Sequence, residues 1–136
     1  MDTAHQVAAL IVRRTTEGSP LILLVTSRDT RRWVIPKGWP QQDQPDHVTA
    51  SHEALEEAGV IGVVLPGSIG SYLYRKRLPT ETIDVRVRVF MLNFTGELAS
   101  WRESDQRQRL WCTPAVAATK VAEPELQQLI LNAEWT

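Results

Sequence analysis

Three glutamates, Glu53, Glu56 and Glu57, stand close together in one short segment of the chain. Residues three and four positions apart are neighbours on a helix surface, so these carboxylates repel one another unless a cation lies between them. Hard divalent ions such as Mg²⁺ take oxygen ligands, typically one or two carboxylates together with substrate phosphates. The cluster therefore fits two interpretations, a solvated acidic face or a site for a metal ion and a phosphorylated ligand.

The element that must position these glutamates is a predicted helix over residues 46–58. Pro45 precedes this segment, and Gly59 follows it where a helix commonly ends. At 100° per residue, one side of the helix carries the small and apolar residues, which are Val48, Ser51, Ala54, Leu55 and Ala58. We expect that side to pack on the protein, with the three glutamates on the opposite side.

The remaining sequence predicts strands before and after this helix and further helices at the end. Strands are expected at 6–13, 21–26, 33–36, 60–65, 68–77, 82–94 and 109–112. Helices are expected at 114–120 and 123–133, and irregular segments at 37–45 and 99–108. The first two strands are predicted to form a hairpin. This order of elements indicates a layered α/β domain.

Length and composition restrict the class of protein. The chain has 136 residues, a formal net charge of −1 and one cysteine, Cys112. These values favour a single domain over residues 1–136 in a reducing compartment. No apolar run approaches the roughly 18 residues that span a bilayer, and no secretory signal is visible. We expect a cytoplasmic protein without a membrane or nucleic-acid partner, and the oligomeric state is not predicted.

Basic residues cluster near the acidic segment in sequence and on the predicted strands. Arginine presents a planar fork that suits phosphate oxygens. Candidates for contacts to a phosphorylated ligand are Arg32, Lys37, Arg75, Arg77, Arg86 and Arg88. Lys37 is favoured because it lies directly before residues 38–60, the segment that contains the three glutamates. The alternative for the group at 75–77 is protection of an edge strand against aggregation.

Residues 38–60, GWPQQDQPDHVTASHEALEEAGV, resemble the Nudix box G-x5-E-x7-R-E-U-x-E-E-x-G-U, where U is a bulky apolar residue. The fixed positions that match are Gly38, Glu53, Glu56, Glu57 and Gly59. Two positions depart, because Gln44 replaces a glutamate and His52 replaces an arginine. Flanking segments at 33–40, 74–78, 85–89 and 101–111 look like a bacterial subgroup related to diphosphoinositol-polyphosphate phosphohydrolases.

The resemblance implies a Nudix-type α/β/α sandwich with a mixed β-sheet. It also implies hydrolysis, with Mg²⁺ or Mn²⁺, of a phosphoanhydride in a nucleoside diphosphate derivative, a dinucleoside polyphosphate or a diphosphoinositol polyphosphate. The implied metal ligands are the Gly38 carbonyl and the carboxylates of Glu53, Glu56 and Glu57. The general base is Glu56 or Glu57, or an acid of the later loop, for which Glu103 and Asp105 are candidates.

The departures at Gln44 and His52 raise an alternative to the prediction of a fully active hydrolase. Arginine at position 52 would hold a carboxylate of the box by charge-assisted hydrogen bonds, whereas His52 is shorter. Gln44 keeps hydrogen-bonding reach and removes a charge. We therefore expect a pyrophosphohydrolase with reduced activity. The alternative is a weakened module that binds a phosphorylated ligand as a sensor.

Overall fold

The computed structural model describes residues 4–133, so the predicted domain limits at 1 and 136 lie outside it. The strands are β1 (Ala4–Arg14), β2 (Pro20–Thr26), β3 (Trp33–Val34), β4 (Lys37–Gly38), β5 (Val60–Arg77), β6 (Thr82–Glu97) and β7 (Arg109–Cys112). The α-helices are α1 (Asp46–Glu53), α2 (Pro114–Lys120) and α3 (Pro124–Asn132), and Ala54–Ala58 continues α1 as a π-helix. Within residues 4–133, each helix is too short or too polar to cross a membrane.

The strands form one mixed sheet in the order β3-β2-β1-β6-β5. β1 pairs antiparallel with β2, as the predicted hairpin requires, and parallel with β6 along nine residue pairs. β4 pairs with the start of β1, and β7 pairs with β2. β1 lies between β2 and β6 and is buried along most of its length, which explains its near-continuous apolar sequence.

Helices cover both faces of this sheet. On one face, α2 and α3 pack through Ala117, Leu126 and Ile130 against side chains that include Leu10 and Val87. On the other face, the segment of α1 and the π-helix packs through Ala50, Ala54 and Ala58 against a cluster that includes Ile11 and Leu92. The predicted α/β/α sandwich with a mixed sheet is therefore confirmed.

One expected break in the sheet is absent. The sequence Pro66-Gly67 predicts two separate strands, but β5 runs without interruption from Val60 to Arg77. Its register against β6 shifts between Val64 and Ser68, which accommodates both residues. β5 lies at the edge of the sheet, where a proline without an N–H group is tolerated.

Candidate functional site

A cavity of about 760 Å³ opens beside β4, where several segments of the chain meet. The turn at 27–32, β4, the helix with the glutamates, the end of β5 and the loop at 103–107 all contribute to its wall. The predicted site residues that line it are Arg32, Lys37, Gly38, Glu53, Glu57, Arg75, Arg77 and Glu103. Residues separated by up to 71 positions, from Arg32 to Glu103, thus share one cavity.

Three predicted site residues do not line this cavity, and each has another charged partner. Arg88 donates to Asp46 at 2.7 Å, and Arg86 donates to Glu125 at 3.1 Å. Both arginines belong to β6, and neither lines the cavity. Glu56 accepts from the exposed Arg102 at 3.2 Å. The sequence alone does not reveal these partners, which lie 39 to 46 positions away along the chain.

The Glu53 carboxylate lies directly against the backbone of Gly38. A Cβ atom built on Gly38 would lie 2.7 Å from Glu53 Oε1. This is closer than a real Cβ approaches any heavy atom, so only glycine allows the carboxylate to lie against the backbone at position 38. β4 holds Gly38 there by pairing it with Val7 of β1.

Gly38→Ala is expected to displace the Glu53 carboxylate and to lower kcat/KM by about tenfold or more, which corresponds to about 1.4 kcal/mol of barrier. The obstructing atoms are the end of a flexible side chain, so we expect only a small fall in melting temperature. Steady-state kinetics and a thermal melt check both parts. Gly67→Ala serves as control because nothing lies within 4 Å of its added Cβ. Wild-type kinetics in Gly38→Ala would show that the contact has no role in the site.

Glu57 is enclosed, which does not fit the interpretation of the three glutamates as a solvated acidic face. The residue is only 8% exposed, and its Oε1 accepts the backbone N–H of Lys37 at 3.3 Å. Arg107 Nη2 lies 3.6 Å from its Oε2. Burial raises the pKa of Glu57, while Arg107 and Lys37 act in the opposite direction.

The reason for this difference is the winding of the segment Ala54–Ala58. It forms a π-helix, in which each backbone hydrogen bond spans one more residue than in an α-helix, a feature often found at functional sites. The regular 100° spacing therefore fails here, and Leu55, predicted to pack, is 37% exposed. Gly59 ends the segment with φ of +67°, as its predicted terminal position requires.

Two side chains from later in the chain, Trp101 and Arg109, hold the C-terminal end of this π-helix in place. Trp101 Nε1 donates to the Glu57 carbonyl at 2.9 Å. Arg109 donates to the Ala58 carbonyl at 3.0 Å and lies 3.9 Å above the Trp101 ring. Carbonyls at a helix end have no partner within the helix, so a cation there stabilises it. The position of Glu57 thus depends on contacts that the local sequence does not contain.

The carboxyls of Glu53 and Glu57 lie close enough to influence each other's ionisation. Burial raises the pKa of Glu53 to about 8, and the repulsion and hydrogen bond of Glu57 add to this shift. Burial lowers the pKa of Lys37 to about 8, where its ammonium lies 4.5 Å from the centre of the Tyr74 ring. Two carboxyls forced together in this way favour a bound cation.

The donor set fits a magnesium ion that also contacts phosphate. Across residues 4–133, no three side chains of His, Cys, Asp or Glu converge as a ready cage for a metal. Mg²⁺ does not require one, since it is usually held by one or two carboxylates together with substrate oxygens and water. Glu53, Glu57 and the backbone at Gly38 supply oxygens of this kind side by side.

A third carboxylate of the cavity, that of Glu103, is held by Arg107. Arg107 Nε donates to Glu103 Oε1 at 2.7 Å, and the Arg107 side chain is only 7% exposed. Asp105, the other loop acid considered, does not line the cavity. Arg107 was not identified as a site residue from the sequence, because a charge in a polar loop gives no signal of burial.

The two residues that depart from the Nudix box contact each other. The Gln44 amide nitrogen lies 3.4 Å from His52 Nδ1 and donates to Thr49 Oγ1 at 2.8 Å. Neither Gln44 nor His52 lines the cavity. An amide–imidazole contact thus joins the segment before α1 to the helix itself.

Comparison with known proteins agrees with the fold and with the motif. The chain matches the NUDIX domain family over residues 4–132. It is similar to Nudix hydrolase 13, mitochondrial, of Arabidopsis thaliana, with 32% identity over 96 residues, 66% of this chain and 48% of that protein. Nudix hydrolase 16, mitochondrial, of the same plant is 25% identical over 115 residues, 82% of this chain and 63% of that protein. The chain spans about half the length of the curated relatives it matches.

Solved structures share the fold at lower identity. A C. elegans Ap4A hydrolase binary complex has a TM-score of 0.69 at 18% identity, with coverage of 95% of this chain and 93% of that one. The NUDIX domain of Shewanella oneidensis NrtR complexed with ADP ribose has a TM-score of 0.70 at 13% identity, with coverage of 96% and 86%. With the family match over residues 4–132, the chain belongs to the Nudix family.

Proposed function

We propose that the protein is a Mg²⁺-dependent hydrolase of a phosphoanhydride bond in a substrate with several phosphates. The observation that carries this proposal is the cavity itself, which combines the adjoining carboxyls of Glu53 and Glu57 with seven basic side chains. Six of these are offered to phosphate, namely Arg28, Arg32, Lys37, Arg75, Lys76 and Arg77, whereas the seventh, Arg107, pairs with Glu57 and Glu103. Charge on a phosphate chain needs several such partners, and a planar arginine fork suits its oxygens.

The residues proposed to hold the ion are Glu53, Glu57 and the Gly38 carbonyl. Glu56 is a further proposed ligand, since its pair with Arg102 is exposed and an exposed pair is weak. When bound, the ion would neutralise phosphate charge and lower the pKa of a water molecule. We assign Glu103 the role of orienting that water, because its carboxylate lines the same cavity. Glu56 and Glu57 remain the alternative bases.

The other end of the substrate is proposed to be a nucleoside. Trp39 is 44% exposed and lines the cavity, so its ring is available to stack on a base. A second cavity of about 480 Å³, with Leu73, Ala122 and Pro124 in its wall, shares Arg32 and Arg75 with the first. An apolar group attached to a phosphate chain fits this arrangement better than a ring bearing phosphates at each carbon. The structural neighbours named for Ap4A and ADP ribose are consistent with it.

A substrate screen tests the proposal. Phosphate release would be measured for Ap4A, Ap5A, Ap6A, ADP-ribose, nucleoside triphosphates and inositol pyrophosphates, each with Mg²⁺ or Mn²⁺. We expect a dinucleoside polyphosphate to give the highest kcat/KM. Preference for an inositol pyrophosphate would instead support the diphosphoinositol-polyphosphate subgroup that the flanking segments resemble.

Lys37→Gln is expected to raise KM for the best polyphosphorylated substrate by about tenfold, because the side chain lies in the cavity under the Tyr74 ring. KM for a nucleoside diphosphate ester should change less, since that substrate has fewer phosphates to reach position 37. Lys120→Gln, at the exposed end of α2, is the matched control. Equal changes in KM for both substrates would mean that Lys37 does not distinguish phosphate number.

A second candidate function is a sensor that binds a phosphorylated ligand without turnover. The departures Gln44 and His52 favour it, because they remove a charged pair from the box. Isothermal titration with Ap4A and ADP-ribose separates the two functions. Binding in the absence of any hydrolysis in the screen would support the sensor. The cytoplasmic location stays a prediction, and the relatives described above are named mitochondrial.

A further inference from the structure

A single buried arginine connects two cavity carboxylates, Glu57 and Glu103, that come from different segments of the chain. Each nitrogen of the Arg107 guanidinium has a different partner. Nε donates to Glu103 at 2.7 Å, Nη1 donates to the Thr26 carbonyl at 3.0 Å, and Nη2 lies 3.6 Å from Glu57. The side chain is 7% exposed, so these contacts are made with little competition from water. A planar fork with three partners has a fixed orientation.

The backbone that carries Arg107 is fixed as well. The next residue, Gln108, donates its N–H to Thr26 Oγ1 at 2.9 Å, and Thr26 N–H donates back to the Gln108 carbonyl at 3.1 Å. Thr26 is the last residue of β2 and is buried. Arg107 is therefore anchored to the end of β2 through Gln108, while the glutamates it contacts lie on the π-helix and in the loop.

The box position that would carry the cation does not face the carboxylates. His52 contacts Gln44, and both residues lie outside the cavity lining. Within residues 4–133, Arg107 is the arginine whose side chain forms ion pairs with two cavity carboxylates at once.

We propose that Arg107 is a positioning residue that supplies the fixed positive charge missing at position 52. This inference rests on the proposed function, because it assigns Arg107 a role in holding Glu57 and Glu103 in their working positions. Its charge offsets part of the repulsion among the buried carboxyls, and its three contacts join the π-helix, the loop and the end of β2. The proposal predicts that histidine in place of arginine at position 52 has little effect on kcat.

The first test measures catalysis in Arg107→Ala, Arg107→Lys and the control Arg102→Ala. Arg102 also pairs with a glutamate of the box, but its side chain is 73% exposed. We expect Arg107→Ala to lower kcat at least tenfold with KM within threefold, and Arg102→Ala to stay within twofold. Added guanidinium at millimolar concentration should restore kcat of Arg107→Ala at least threefold, which a merely structural loss would not allow. Unchanged kcat, or a folded variant without rescue, would overturn the proposal.

The second test does not depend on activity. Loss of Arg107 leaves Glu57 buried without its cation, and contacting residues deviate from additivity. We therefore expect Arg107→Ala/Glu57→Gln to regain at least half of the melting temperature lost in Arg107→Ala. Additive losses would show that Arg107 does not act through Glu57. If Arg107→Ala does not fold, Arg107→Lys with and without Glu57→Gln takes its place. An inactive wild-type protein would contradict the proposed function. The comparison of melting temperatures would still decide whether Arg107 acts through Glu57.

His52→Arg provides an independent test of the same idea. Because His52 lies against Gln44 and away from the cavity, we expect kcat of His52→Arg to remain within twofold of wild type. A gain of tenfold or more, alone or together with Gln44→Glu, would mean that the missing charge had not been replaced, and the proposal would fail.

Discussion

Glu57→Gln is expected to lower kcat/KM by about a thousandfold, which corresponds to about 4 kcal/mol of barrier. The substitution keeps the size and the acceptor for the Lys37 N–H, but removes the buried charge that faces Glu53 and Arg107. A neutral amide is a poor ligand for Mg²⁺ beside phosphate. Because a desolvated charge is removed, the melting temperature of the metal-free protein should not fall.

Kinetics at saturating Mg²⁺ and thermal melts measure these two effects. Glu17→Gln, in the exposed turn between β1 and β2, is the control for the loss of one carboxylate. Glu56→Gln should be less harmful than Glu57→Gln, since Glu56 pairs with Arg102 outside the cavity lining. Activity of Glu57→Gln within tenfold of wild type would remove Glu57 from the set of metal ligands.

The metal-free protein is expected to become less stable as pH rises from 5.5 to 8. The pKa of Glu53 is about 8 in the folded protein and 4.5 as its ordinary value, so between these limits the folded state binds more protons. The free energy of unfolding therefore falls as pH rises through this window. Mg²⁺ binds the ionised form and should oppose the fall. Lys37 acts only above pH 8, where its lowered pKa makes stability rise with pH.

Thermal melts at pH 5.5 and 8, with and without Mg²⁺, check this prediction. The double variant Glu53→Gln/Glu57→Gln removes the titrating pair, so its difference from wild type isolates their contribution from that of other groups. We expect the metal-free wild type to lose at least about 4 °C more than the variant, or about 1 kcal/mol for a domain of this size. Mg²⁺ should raise the wild-type melting temperature chiefly at pH 8. Parallel pH profiles would contradict the prediction.

Much of the fold could be predicted because the signals are local. Apolar runs identified β1 and β2, and turn residues located their hairpin. The edge position of β5, which lets Pro66 remain inside a strand, depends on the arrangement of all strands and is not visible locally. The same holds for the parallel pairing of β1 with β6, since no spacing in the sequence specifies it.

The candidate site likewise has features that the sequence predicted and features that it could not predict. The spacing of Glu53 and Glu57, and the glycine at position 38, were apparent from the pattern of the box. The burial of Glu57 was not, because it follows from a π-helix and from Trp101, which lies 44 residues later. Arg107 escaped notice for a related reason. Its importance comes from its neighbours in space, and the resemblance of the flanking segment 101–111 to a Nudix subgroup does not reveal which residue of that segment is buried.

The parallel pairing of β1 with β6 also bears on when the site can form during synthesis. The nine pairs, from Ala4 with Val85 to Val12 with Asn93, join residues about 80 positions apart. Contacts this distant form slowly, because the chain loses loop entropy before they stabilise it. Gly38 and the glutamates leave the ribosome early, whereas Arg107 and β7 follow late. A nascent chain halted before residue 107 should therefore carry the complete box yet bind the metal weakly, so cation binding would mark the last stage of folding.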